Sequence, residues 1–246
     1  MDRLIYSSLS AMRAAMSRQT TTANNLANVN TPGFKGEMTN SQALWIKGAG
    51  MNTRAPTSEE VLSADMREGP VADTGRELDV AMLGDSLLGV QTSDGAEGYT
   101  RRGDLQVGDS GLLTTGDGLP VLGEGGPITI PPASKVMIAG DGTISVIPVG
   151  GDASQPQQVD RLKLVRSNGV DIAKGLDGIF RVKGGGTLPT DPQATVRQGA
   201  LEGSNVNSAG TLIDMIEASR DWDMQVKMMS SAQDIDKASA DLMRLD

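Results

Sequence analysis

Residues 23–36 read ANNLANVNTPGFKG. Asn24, Asn25, Asn28 and Asn30 fall within seven positions, and Pro32-Gly33 follows them. Asparagine favours caps and turns over helix interiors, because its amide competes for backbone groups. Yet residues 2–28 contain neither Gly nor Pro. Within them Ile5, Leu9, Met12, Met16, Gln19, Ala23 and Leu26 are spaced alternately by four and three, a heptad seam. The spacing predicts a helix over this stretch, stopped at Thr31-Pro32-Gly33. The crowded asparagines then have two explanations. They are a fraying helix end, or they are polar groups fixing register against a facing helix.

The other end repeats the theme. Residues 211–245 also lack Gly and Pro. Thr211 reads as the cap, with Asp214 three residues on, and Gly210 reads as delaying the start. Leu212, Met215, Ile216, Trp222, Val226, Met229, Ile235, Leu242 and Leu245 form a broad apolar stripe. Residues 1–30 carry Arg3, Arg13 and Arg18 against Asp2, a balance of +2, whereas residues 205–246 carry eight acids and four bases, a balance of −4. Opposite signs suit side-by-side packing and set pairing preference more than stability. Each helix carries too thin a stripe to stand alone, so each requires a partner.

The middle reads as β. Candidate strands are residues 78–82, 86–92, 99–107, 128–131, 135–139, 143–149, 161–167 and 179–183. GDSG at 108–111, GDG at 116–118 and GDGT at 140–143 read as turns between them. Residues 47–75 read as an extended connector with one short helical turn near 58–64. Residues 151–158 and 183–193 read as loops.

Composition narrows the chemistry. The 246 residues hold six aromatics, thirty-one glycines and a net charge of −9. Aliphatic residues must therefore fill the core, and an acidic surface is a poor match for nucleic acid or anionic membrane. There is no cysteine and no histidine. Thiolate chemistry, serine-histidine triads and histidine-ligated zinc are excluded. Asp79 with Asp85, or Asp104 with Asp109, offers a carboxylate pair of the glycosidase kind. Asp104 and Asp109 lie beside turns, where aspartate serves the backbone. No complete calcium loop or phosphate loop is present. The first residues contain no long apolar run of the kind a secretory signal or a membrane span requires.

ANNLANVNTPGFK resembles the N-terminal signature of the flagellar axial proteins, the rod and hook family. LEGSNVN at 201–207 with LIDMIEASR at 212–220 resembles the family's second signature. LDVAM at 78–82 is similar to the start of its middle domain, and DGAEGYTRRGDLQVGDSGLL at 94–113 to that domain's central hairpin. Within the family the likeness is nearest to proximal-rod members, with distal-rod or hook-type members as runner-up. GDSLLGV, with Leu87 and Leu88, departs from the family's usual aromatics. The resemblance implies an α+β fold, its N- and C-terminal helices pairing as an antiparallel coiled coil, with a mainly β middle domain. It divides the chain into an N-terminal helix and signature loop (1–35), a connector (36–77), a β domain (78–200) and a C-terminal helix (201–246). It implies a structural subunit of the basal-body rod, with no catalytic residue, cofactor or metal. Its partners are other rod proteins, copies of itself and the flagellar type III export apparatus, with no nucleic acid and no direct membrane insertion. The expected location is the periplasm-spanning rod, reached without a cleaved signal. The interaction residues it points to are Ile5, Leu9, Met12, Met16, Asn25, Leu26, Asn28 and Asn30 at one end. At the other they are Val206, Asn207, Ile213, Ile216, Val226, Met229 and Leu242. A secreted β-rich wall-binding or hydrolytic protein is the reading of another class, and it leaves both helical ends unexplained.

Overall fold

The computed structural model describes the backbone of residues 2–43, 57–151, 155–167 and 169–243, and the side chains of residues 8–39, 64–151, 155–167, 169–235 and 237–241. The fold is mixed α+β, with a helix at each end and a mainly β middle. It divides into two compact units: residues 1–29, 37–63 and 206–246, and residues 30–36 and 64–205.

The first unit contains helix α1 (Asp2–Ala27), helix α2 (Ser208–Met243) and a two-stranded ribbon of β1 (Glu37–Ala43) and β2 (Thr57–Ala64). The strand at β2 replaces the short helical turn expected there. Ser58, Glu59 and Glu60 favour a helix locally, but pairing with β1 overrides that preference. Helix α2 starts three residues before Thr211. Its cap is Asn207, whose Oδ1 accepts from the Gly210 N–H at 3.1 Å. Gly210 therefore lies inside the first turn, and Thr211 donates its hydroxyl to the Asn207 carbonyl at 2.8 Å. No helix among the described residues is long and apolar enough to cross a membrane.

The second unit is built of β3 (Val71–Asp73), β4 (Val80–Met82), β5 (Ser86–Gln91), β6 (Glu97–Thr100), β7 (Leu105–Val107), β8 (Leu113–Thr115), β9 (Ala133–Ile138), β10 (Thr143–Pro148), β11 (Gln157–Arg161), β12 (Leu164–Arg166), β13 (Ile172–Lys174), β14 (Phe180–Val182), β15 (Val196–Gln198) and β16 (Ala200–Glu202). The largest sheet runs β12-β5-β6-β14-β13, and a second runs β11-β10-β9. The pairs β7-β8, β15-β4 and β16-β3 complete it. One core gathers Val80, Met82, Leu88, Leu105, Ile144 and Leu164, and a smaller one gathers Leu87, Tyr99, Val165, Phe180 and Leu188.

The expected turns serve as hairpin loops. GDGT joins β9 to β10, with the Gly142 N–H on the Ala139 carbonyl at 2.9 Å, and GDSG joins β7 to β8. Further expectations are corrected, among them residues 161–167, which divide between the end of β11 and β12. Residues 99–107 are two strands, because the chain turns in at Arg101. Residues 128–131 make isolated bridges rather than a strand, since Pro127, Pro131 and Pro132 lack ladder donors. Gln157 and Gln158, read as loop, lie on edge strand β11, where exposed polar residues leave no apolar alternation.

Candidate assembly interface

Helix α1 packs on α2 through small side chains. On α1 the buried residues are Ser8, Ala14, Ala15, Thr21 and Thr22. On α2 they are Thr211, Ala218 and Ala232, in multiples of seven residues, with half-buried Gln225 on the same spacing. The Gln225 Oε1 is buried without a hydrogen-bond partner. Arg18 and Asp221 form an ion pair between the helices at 3.4 Å. Both groups are about two-fifths exposed, so the pair adds at most about 1 kcal/mol.

The large apolar side chains are elsewhere. Met16 is 59% exposed, Ile213 57%, Ile216 53% and Ile235 55%. Leu9, Val226, Leu212, Met224 and Met228 are also exposed. Met12, Leu26, Val206 and Met229 are half-buried. The stripes legible in the sequence thus differ from the faces buried between the helices. The buried small residues were not anticipated. Their signal was a second seven-residue repeat, Ser8-Ala15-Thr22 and Thr211-Ala218-Ala232, hidden because it carries no large apolar residue. The side chains of Ile5 and Leu242 lie outside the described residues.

The asparagines close the end of α1. The Asn25 amide binds the Glu37 backbone from both sides, donating to its carbonyl at 2.9 Å and accepting from its N–H at 2.8 Å. A side chain here does what a neighbouring strand would do, and it seats the start of β1. Asn24 donates to the Glu37 carboxylate at 2.9 Å. Asn28 reaches back one turn to the Asn24 carbonyl at 2.9 Å and to its side-chain oxygen at 3.0 Å. Asn30 and Asn207 are exposed. The density of asparagine at 24–28 therefore has an intrachain account: Asn24 and Asn25 donate to Glu37 of β1, and Asn28 donates to a carbonyl at the end of α1.

In the second unit the two signature segments meet each other. The Gly33 N–H donates to the Glu202 carbonyl at 2.7 Å, and the Asn205 N–H to the Phe34 carbonyl at 3.3 Å. The Gly36 N–H donates to Asn205 Oδ1 at 2.8 Å, while Asn205 Nδ2 donates to the carbonyls of Asp65 and Arg67 at 2.7 and 3.0 Å. Glu202 lies beneath. Its Oε1 accepts from Lys35 Nζ at 2.7 Å and the Gly69 N–H at 2.8 Å, and its Oε2 from Arg101 Nε at 2.7 Å and Nη2 at 2.6 Å. All three charged side chains are at most 1% exposed. Arg101 spends its remaining donors on the carbonyls of Gly84, Ser86 and Met82. Burial pushes the Lys35 ammonium below its ordinary value, against the pull of Glu202. Lys174 closes the outside, donating to the Lys35 carbonyl at 2.9 Å with its ammonium 3.6 Å from the Phe34 ring centre. Sequence reasoning missed this cluster, although PGFKG, YTRRG and LEGSN each carry one member of it.

Two of the four acids considered for catalysis, Asp79 and Asp104, are held in local ion pairs. Asp79 accepts from Arg76 at 2.5 Å and from the Thr74 hydroxyl at 2.6 Å, and Asp104 accepts from Arg102 at 2.6 Å. Among the described residues no cluster of acids could hold a metal ion.

The chain is an α+β protein that buries small residues on its two terminal helices and exposes large apolar ones there. The comparisons agree along the chain. Residues 5–35 match the family described as "Flagella basal body rod protein", residues 81–146 "Flagellar hook protein FlgE/F/G D1 domain", and residues 197–242 "Flagellar basal body rod FlgEFG protein C-terminal". The chain is 42% identical over 240 residues to the flagellar basal-body rod protein FlgF of Escherichia coli K12, covering 95% of each. It is 41% identical to FlgF of Salmonella typhimurium, again over 95% of each. Against the flagellar basal-body rod protein FlgG of Bacillus subtilis it is 29% identical, over 99% of this chain and all of the other. The chain belongs to the flagellar basal-body rod protein family.

Proposed function

We infer that this chain is a structural subunit of the bacterial flagellar basal-body rod, of the proximal-rod type, and that it polymerises through its terminal helices. The observation that carries the reading is the outward placement of Met16, Ile213, Ile216 and Ile235 on helices whose mutual contact is made by Ala and Thr. Exposed apolar surface of this kind is expected where further helices pack. The helices are read as an antiparallel coiled coil whose outer stripes meet copies of the chain and other rod proteins. The axial core is read as 1–29 and 206–246, narrower than the sequence division, because residues 30–36 and 201–205 group with the β unit. Head-to-tail contacts that do not close would then extend the filament. Leu9, Met12, Leu26, Val226 and Met229 are assigned to the same contacts, and Asn25 and Asn28 to holding the exit of α1. The proximal assignment is supported by 42% identity to an FlgF against 29% to an FlgG. Delivery by the flagellar type III export apparatus, without a cleaved signal, belongs to the same reading.

The test is the double substitution Ile213→Glu/Ile216→Glu in the full chain. Both positions are exposed, so the isolated protein should keep its stability within about 0.5 kcal/mol. It should be missing from isolated basal bodies, and the cells should not swim. Normal incorporation of the variant would overturn the reading.

A further inference from the structure

We propose that the buried Glu202 carboxylate is a latch that makes seating of the N-terminal signature conditional on seating of the C-terminal one. Glu202 is the last residue of β16, which pairs with β3 through Glu202–Val71, and residues 203–205 follow it outside any strand. Its two oxygens take four donors from three other segments, residues 35, 69 and 101. Residues 30–36 belong to no strand. Among the bonds that hold them are the Gly33 bond to the Glu202 carbonyl, Lys35 on the Glu202 carboxylate and the Arg67 carbonyl, the bonds of Phe34 and Gly36 to Asn205, the Asp65 N–H on the Gly36 carbonyl, and Lys174. Most of these partners lie within residues 202–205. If that segment lifts, the N-terminal loop loses both its backbone and its ionic partners. If the loop lifts, Glu202 and Asn205 lose theirs.

The charges make the coupling asymmetric. Two buried cations share one anion. Removing the carboxylate strands two cations in a dry site, whereas removing Lys35 leaves a neutral pair of Glu202 with Arg101. Lys35 and Glu202 act as positioning residues, fixing the path of the chain as it leaves α1 and as it approaches α2. This rests on the structural-subunit reading only for its consequence in assembly.

The experiment is amide exchange by mass spectrometry on full-length protein carrying Lys35→Met, with Glu202→Gln as companion. In Lys35→Met, peptides covering residues 30–36 and 202–205 should exchange together, at least tenfold faster than in the wild type. Peptides from β5 and β6 should keep their protection. Loosening of 30–36 with 202–205 unchanged, or no change in either, would overturn the latch. So would uniform loss across the β unit, since that is ordinary core destabilisation. Should Glu202→Gln fail to fold, Lys35→Met still decides the matter. In cells, Lys35→Met should lower incorporation into basal bodies, and wild-type incorporation would overturn the assembly consequence. Failure of the wild-type chain itself to incorporate would sink the structural-subunit reading and leave the exchange result standing.

Discussion

Gly33 is the residue on which the meeting of the two signatures turns. Its φ of +66° lies in the left-handed region, and a Cβ there would collide with the Arg101 carbonyl carbon and oxygen. Backbone conformation and close approach both demand glycine. Gly33→Ala should cost about 1–3 kcal/mol in the β unit, read as a lower midpoint in urea followed by circular dichroism. Asn25 demands its amide for a different reason. Asn25→Asp keeps an acceptor for the Glu37 N–H but removes the donor to the Glu37 carbonyl and sets a second carboxylate beside Glu37. A loss of about 1–2 kcal/mol is expected, seen as faster exchange at Glu37. At this scale the sequence was half legible. The asparagine cluster and the Pro-Gly pair announced that something special ends α1. The partners, Glu37 and Arg101, could not be read, because contacts 12 or 68 residues away leave no local pattern.

Between elements, what could be read depended on periodicity. Helix α1 was found within a residue of its end, and the hairpins at GDSG and GDGT were found because turn chemistry is local. Strands β1, β2, β3, β8, β13, β15 and β16 were missed, and β11 but for its last residue. They are exposed, short or rich in Ser, Thr and Glu, so partners rather than propensity create them. The helix contact escaped for a related reason, since Ala and Thr at seven-residue steps read as filler beside an apolar stripe. That contact is also the most sensitive to added volume. Ala218 is 1% exposed, and Ala218→Leu should overpack it, at a cost of about 1–3 kcal/mol. The helical circular-dichroism signal should melt earlier while the β unit's transition stays in place. The turns carry the acid sensitivity. Backbone and hydroxyl donors of Thr143 hold Asp141 below the ordinary 3.8, and the Arg181 guanidinium holds Asp177 below it. Folding therefore favours the ionised forms, and the unfolded chain binds more protons between the lowered values and 3.8. This contribution is complete above about pH 5 and disappears as pH falls through that window. Melting temperatures should be flat from neutral pH to about 5 and drop below about 4, with a shallower drop in Asp177→Asn.

At the scale of the whole molecule, the buried apolar cores and the exposed apolar side chains fall in different units. Among the described residues the two apolar cores draw their buried members from residues 64–196, and none comes from α1 or α2. The terminal helices bury mainly Ala, Ser and Thr against each other and leave Met16, Ile213, Ile216, Met224 and Ile235 in solvent. Burying such side chains is worth roughly 1.5–3 kcal/mol each, and on the proposed assembly most of that would be gained as further helices pack on them. Deleting residues 1–29 should therefore divide the molecule's properties. The β unit should keep its cooperative transition, because no core residue is lost and Gly33, Lys35 and Gly36 still reach Glu202 and Asn205. Helix α2 should lose protection across residues 208–243, since Ala218 and Ala232 would face water, and incorporation into basal bodies should vanish. If the β unit unfolded along with the deletion, the two units would be one cooperative body. The terminal helices would then be part of the subunit's own stability rather than surface held in reserve for its neighbours.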